Sequence, residues 1–174
     1  NFGGAGNLTL HADSTVAGGG FVVTKGGAGT LTLAGSITDA GLLTVSGGVV
    51  DLTGSYIRTV YGNNIGLSVG NGATLNVTGQ LGTAEIPTGQ TAFAGSSITN
   101  FSGTAFMSGT SATFRVGEGT SATVNVTGGT LTIGTSSGGV ALGRNSDSAR
   151  GFLNISGGSM IVGSSSNLIR IGAG

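Results

Sequence analysis

Ala122–Gly134 reads ATVNVTGGTLTIG, and Gly151–Gly163 reads GFLNISGGSMIVG. Laid over each other without a gap, Val126 falls on Ile155 and Ile133 on Val162, and further along Leu142 falls on Ile171 at the same offset. Within each segment apolar and polar residues alternate strictly, as in Thr123-Val124-Asn125-Val126-Thr127. That alternation is the period of a strand with one face in a core. Working outward, an apolar residue followed by Ser or Thr, with Gly one or two positions further on, recurs at Val23, Val45, Val77, Phe101, Val126 and Ile155. The shortest step runs from Val23 to Val45 and the longest from Val45 to Val77. Self-similarity at such a period is the signature of a solenoid.

Two further columns align beside the first. One precedes it, with Val16, Ile37, Val69, Phe93, Val116, Leu142 and Ile171. The other follows, with Leu33, Leu52, Leu81 or Ile86, Met107, Ile133 and Val162, and Leu10 as an earlier member. Three short strands per turn make an all-β parallel β-helix of about six to seven turns, each of roughly 22 to roughly 32 residues, inside the range of solenoid repeats. Residues 1–174 read as a single repeat domain, an excerpt of a longer solenoid or a stacking subunit. Gly79–Gln90, with Glu85 and Pro87, breaks the register. The frequent glycines are expected to supply positive φ at the corners.

Composition narrows the function classes. Of 174 residues 38 are Gly and only 7% are charged, with zero formal net charge. That charge content is far below the usual quarter. A single Pro excludes collagen. With no Cys there is neither a disulfide scaffold nor a thiolate metal site, and no metal or cofactor is expected. No apolar stretch approaches the roughly 18 residues a membrane-spanning helix needs, so no membrane-spanning segment is expected. Zero net charge without an aromatic platform speaks against nucleic acid as a partner.

The outward position before the motif reads Asn76, Asn100, Asn125 and Asn154 in the last four repeats, a candidate amide ladder like those of cross-β stacks. The hydroxyl set Thr24, Ser46, Thr78, Ser102, Thr127 and Ser156 stands beside it, either laddering likewise or satisfying the turn backbone. This repetition also creates N-x-[ST] sequons at Asn7, Asn76, Asn100, Asn125 and Asn154, which the repeat itself explains without glycosylation. The long steps point to outward loops, where Tyr56, Arg58, Tyr61, Arg144 and Arg150 form a candidate ligand set for a surface glycan. Asp51 and Glu85 would make a carboxylate pair if they fell on adjacent turns. His11 stands alone.

Gly26–Gly35 (GGAGTLTLAG), with the two segments quoted at the outset, resembles the autotransporter-associated β-strand repeats of bacterial secreted passenger domains. The resemblance implies a right-handed parallel β-helix that is secreted and displayed at or released from the cell surface. It carries over no catalytic residue, because the repeat is structural. The expected function is a non-catalytic extracellular structural module: a stalk, an adhesin shaft, or a subunit of a filament or surface layer. Its expected partners are its own kind, through self-association or continuation of the solenoid at open ends. The alternatives are a glycan-binding or glycan-cleaving β-helix, and an ice- or surface-binding solenoid.

Overall fold

The structure is a computed structural model that describes residues 1–58, 65–83, 85, 88–108, 114–134, 139–163 and 169–171. Every regular element among them is a strand. The first rung holds β1 (Leu8–Leu10), β2 (Thr15–Ala17) and β3 (Val23–Lys25), and the second β4 (Thr30–Leu33), β5 (Ser36–Ala40) and β6 (Leu43–Val45). Next come β7 (Val49–Leu52), β8 (Ser55–Arg58) and β9 (Ile65–Val69), then β10 (Thr74–Val77), β11 (Gln80–Leu81) and β12 (Gln90–Phe93). The fifth rung is β13 (Ser97–Phe101), β14 (Thr104–Met107) and β15 (Phe114–Glu118); the sixth is β16 (Ala122–Val126), β17 (Thr130–Ile133) and β18 (Val140–Arg144). The last is β19 (Gly151–Ile155), β20 (Ser159–Val162) and β21 (Ile169–Ile171).

Each strand pairs in parallel with its counterpart one rung away, giving three seven-stranded sheets, the three walls of a β-solenoid. Neighbouring strands lie about 4.8 Å apart, so six steps make a stack of roughly 30 Å. Inward positions of the first wall stack Leu10, Leu33, Leu52, Val77, Phe101, Val126 and Ile155. From Leu33 to Val126 these side chains are no more than 2% exposed. On the third wall Phe93 and Phe114 meet with ring centroids 5.2 Å apart and planes tilted by 58°. Such a pair is worth about 0.5–1.5 kcal/mol beyond its burial.

The expected columns hold for the later rungs and slip by one wall in the early ones. Val77, Phe101, Val126 and Ile155 share the first wall, but Val23 and Val45 lie on the third, and they do not pair even with each other. Val23 faces Leu43, and Val45 sits between Lys25 and Val69. Val16 and Ile37 belong with Tyr56 and Leu81 on the second wall, not with Val69. The first-wall column runs instead through Leu33 and Leu52, which divide the chain between Leu10 and Val77 into ordinary steps. The long step from Val45 to Val77 therefore joins two different walls, and residues 59–64 within it lie outside the described residues. Leu81 keeps register after all, pairing with Tyr56 and Ala105, while Ile86 and Pro87 lie outside the described residues.

Gly54, Gly79 and Gly103, each following a hydroxyl residue, have a steric cause that stands beside the expected positive φ of other corner glycines. At the corner between first and second walls, the carbonyl oxygen of Leu52 accepts from the N–H groups of both Thr78 and Gly79, each at 3.0 Å. Val77 does the same one rung up for Ser102 and Gly103, each at 2.9 Å, and Leu33 one rung down for Thr53 and Gly54. This double acceptance draws the corner backbones together. A Cβ on Gly54, Gly79 or Gly103 would run into the carbonyl oxygen of the rung below: Gly35, Gly54 and Gly79 respectively. None of the three has positive φ, but the expected conformation occurs at the same corner in later rungs, at Gly129 and Gly158, and at other corners at Gly48 and Gly72.

Gly79→Ala is expected to destabilise the fold by about 1–3 kcal/mol, because a methyl must push two backbones apart. For a chain of this size that lowers Tm by about 2–12 °C. Gly163→Ala, which meets nothing within 4 Å, is expected to stay within about 0.5 kcal/mol of the parent. Thermal unfolding of the two variants measures the difference, and equal stabilities would contradict the corner argument.

Candidate functional site

The outward face of the first wall carries the most ordered polar array. In the register of β7, β10, β13, β16 and β19, Asp51, Asn76, Asn100, Asn125 and Asn154 stand one above another. Asn76 Nδ2 donates to Asp51 Oδ1 at 2.7 Å. Asn100 then donates to Asn76, Asn125 to Asn100 and Asn154 to Asn125, each from Nδ2 to Oδ1 at 2.8 Å. All four bonds point the same way and end on a carboxylate, which can only accept. Aligned amide dipoles polarise one another, and the negative charge lies at the end toward which the N–H groups point. Each internal Asn retains one N–H and one oxygen lone pair after serving the ladder.

Beside the amides, at the glycine corner, runs an exposed row of Thr53, Thr78, Ser102, Thr127 and Ser156. Thr127 Oγ1 donates to the Phe101 carbonyl at 3.4 Å. Thr24 and Ser46 do not belong to this row. Thr24 pairs with Thr44 within the third wall, and Ser46 Oγ donates to the Lys25 carbonyl at 3.3 Å. An open groove of about 390 Å³ follows the join of amides and hydroxyls, lined by Thr32, Asp51, Thr53, Asn76, Thr78, Asn100 and Ser102.

The residues expected to form a ligand loop are not brought together. Tyr56 and Arg58 alternate inward on β8 and are 0% and 7% exposed, so neither can meet a ligand from solvent. The Tyr56 hydroxyl donates to the Gly41 carbonyl at 3.3 Å, and burial pushes its ionisation well above the ordinary tyrosine range. Arg58 Nη1 donates to the Thr88 carbonyl at 2.5 Å; burial lowers its pKa, and no ion pair offsets it among the described residues. Tyr61 lies outside the described residues. Arg144 and Arg150 bracket the corner that leads from the third wall into β19. There Arg150 Nη1 folds back onto the carbonyls of Asp147 and Ala149, at 2.8 and 2.9 Å.

The carboxylates do not converge. The rung neighbour of Asp51 is Asn76, whereas Glu85 is exposed beyond β11. Glu118 Oε1 receives Asn145 Nδ2 at 2.5 Å and lies 3.7 Å from Arg115 Nη1. His11 pairs with Asp13 at 3.4 Å on the exposed first rung. Among the described residues no group of three His, Cys, Asp or Glu could hold a metal ion. No helix among them is long and apolar enough to cross a membrane. No continuous threonine array forms on one wall among the described residues: Thr9 and Thr32 are followed by Asp51 on the first wall, and Thr132 stands between Phe106 and Ile161 on the second.

A second buried cation, in addition to Arg58, is one that no repeat motif marks. Lys25, 2% exposed, points into the core, and its Nζ donates to the carbonyls of Gly26 (2.7 Å), Gly27 (2.9 Å) and Gly47 (3.2 Å). Three acceptors match the three donors of an ammonium group. The alternation Val23-Thr24-Lys25 was the available signal, since it puts Lys25 on the same face as Val23. Comparison with protein-family models, curated proteins and solved structures returned no match.

The ladder's polarity can be tested by frustrating it. In Asn100→Asp a second carboxylate lies two rungs from Asp51 with Asn76 between them. Asn76 can donate to one and must turn its oxygen on the other. Loss of about 1–3 kcal/mol at neutral pH is expected. The new carboxyl is held protonated more readily in the fold than in the unfolded chain, where its pKa is about 3.9. The folded state then binds more protons, so the variant's stability falls as pH rises above about 4 and recovers on acidification. Adding Asp51→Asn lets the amides between reverse direction and is expected to restore most of the loss. Urea unfolding of both variants at several pH values checks this, and an Asn100→Asp penalty that Asp51→Asn leaves unchanged contradicts a continuous ladder.

Proposed function

We propose that this chain is a non-catalytic structural module of an extracellular shaft, filament or surface layer, of the bacterial passenger-domain type that its repeats resemble. The observation that carries the reading is the stack itself. Three parallel sheets run through every rung with one interior, and the most regular polar feature bonds rung to rung instead of converging on a reacting atom. Secretion and display at a bacterial surface belong to the same proposal and rest on the resemblance.

Self-association belongs to the same proposal and is supported by the exposed apolar residues of the terminal rungs. β1, β2 and β3 close one end of the sheets and β19, β20 and β21 the other. Leu8 and Val16 are 49% and 40% exposed at the first end, and Ile155 and Ile171 are 53% and 79% exposed at the second. An open apolar strand edge is a template for another strand, although at the first end Phe2 already bridges in parallel to Lys25 on β3. Asn154 also offers its Oδ1 to a donor on a following rung, which would lengthen the ladder.

Light scattering on the 174-residue chain is expected to show species that grow with concentration. Ile155→Lys with Ile171→Lys, which puts charge on the second edge, is expected to return the chain to a monomer with unchanged circular dichroism. A parent chain that stays monomeric at high concentration would remove the support for rung addition.

A further inference from the structure

We propose that the outward face of the first wall binds an extended neutral polysaccharide, a β-1,4-linked chain, lying along the solenoid axis. The inference goes beyond the structural role, and the lateral face it uses is separate from the edges where rungs would add. Three parallel rows make up this face. The middle one is the amide ladder, in which Asn76, Asn100 and Asn125 each hold one N–H and one oxygen lone pair in reserve, spaced about 4.8 Å apart. On one side stand the exposed hydroxyls of Thr78, Ser102 and Thr127. On the other side the register stacks Thr74, Ile98, Thr123 and Phe152, of which Ile98 is 43% and Phe152 53% exposed.

An extended β-1,4 chain is a flat ribbon with hydroxyls along its edges and C–H surfaces on its faces, and each sugar advances it by a length close to one rung. Amides and hydroxyls repeated at rung spacing can meet successive sugar hydroxyls, both donors and acceptors. Ile98 and Phe152 offer apolar surface to the C–H faces. A groove of about 390 Å³ over the lower part of the amide and hydroxyl rows, from Asp51 and Thr53 to Asn100 and Ser102, is already open in the structure. Asp51 is the only ionisable residue lining it among the described residues, so a polyanion would meet an unmatched carboxylate while a neutral sugar offers it hydroxyl donors. Because the ladder fixes the amides, their reserve groups are oriented before a ligand arrives, which lowers the ordering penalty of binding.

Calorimetric titration with cello-oligosaccharides of one to six units tests the proposal. Affinity is expected to rise at least tenfold from the disaccharide to the hexasaccharide. Maltohexaose, whose α-1,4 linkages coil the chain away from the rung spacing, is expected to bind at least tenfold more weakly than cellohexaose. Thr78→Val with Ser102→Val, and separately Phe152→Ser, should each weaken cellohexaose binding several-fold with little change in thermal unfolding. Thr44→Val, on the outward face of the third wall, should leave binding unchanged. Absence of binding to the unmodified chain at millimolar cellohexaose, equal affinity for glucose and cellohexaose, or equal affinity for the two hexasaccharides would overturn the proposal. None of these outcomes depends on whether the rods associate through their ends.

Discussion

Everything in this molecule follows from each strand sitting directly on its counterpart one rung away, about 4.8 Å along the axis. At that spacing backbone N–H and C=O groups pair between rungs, and a residue's nearest neighbours are its equivalents. The interior becomes a set of columns, each needing the same kind of side chain in every rung. At the corner after the first wall, one carbonyl accepts two N–H groups from the next rung, which leaves no space for a Cβ. The same constraint brings asparagine amides within direct hydrogen-bonding reach on the outer face.

Polar groups are accommodated differently inside and outside. On the outer face the amides satisfy one another and the run ends on an acceptor, Asp51, so the ladder has a direction fixed by a single carboxylate. Inside, Lys25 is satisfied by three carbonyls, whereas Arg58 makes one hydrogen bond to a carbonyl and leaves Nε without a partner among the described residues. The hydroxyls of Ser97 and Thr99 are likewise buried without partners among those residues. Both belong to β13, whose Thr99 stands in a column between Leu75 and Val124. The interior is therefore less well satisfied than the outer face of the first wall.

The fold was legible in the sequence because columns repeat side-chain character, and the last rungs repeat it without gaps. What went astray was the assignment of early rungs to walls. Leu33-Ala34-Gly35 lacks the hydroxyl of the motif, and Leu33 to Leu52 is the shortest step in the true column. Val23 and Val45, which carry the motif by coincidence, therefore took the places of Leu33 and Leu52. That slip set Tyr56 and Arg58 among the candidate ligand residues, although their alternation with Ser55 and Ile57 on β8 turns them inward. Asn76 and Asn100, which line the groove, were legible as part of the column that continues to Asn154. Its termination on Asp51 was not, because the slipped register gave Asp51 to another wall. The glycine after each hydroxyl was visible too, but its cause is contact between rungs, which no single repeat contains.

The central claim is the vertical register of the first wall. Thr30, Val49, Thr74, Ile98, Thr123 and Phe152 are successive outward neighbours, so positions 30 and 152 are five rungs apart although far apart in sequence. Five spacings amount to about 24 Å. Spin labels on cysteines introduced at Thr30 and Phe152, diluted with unlabelled chain and measured by pulsed electron–electron resonance, should give one narrow distance distribution centred near that value, widened only by the reach of the labels. A broad distribution, or one centred well beyond it, would contradict the stacked register on which the ladder, the corner glycines and the groove all depend.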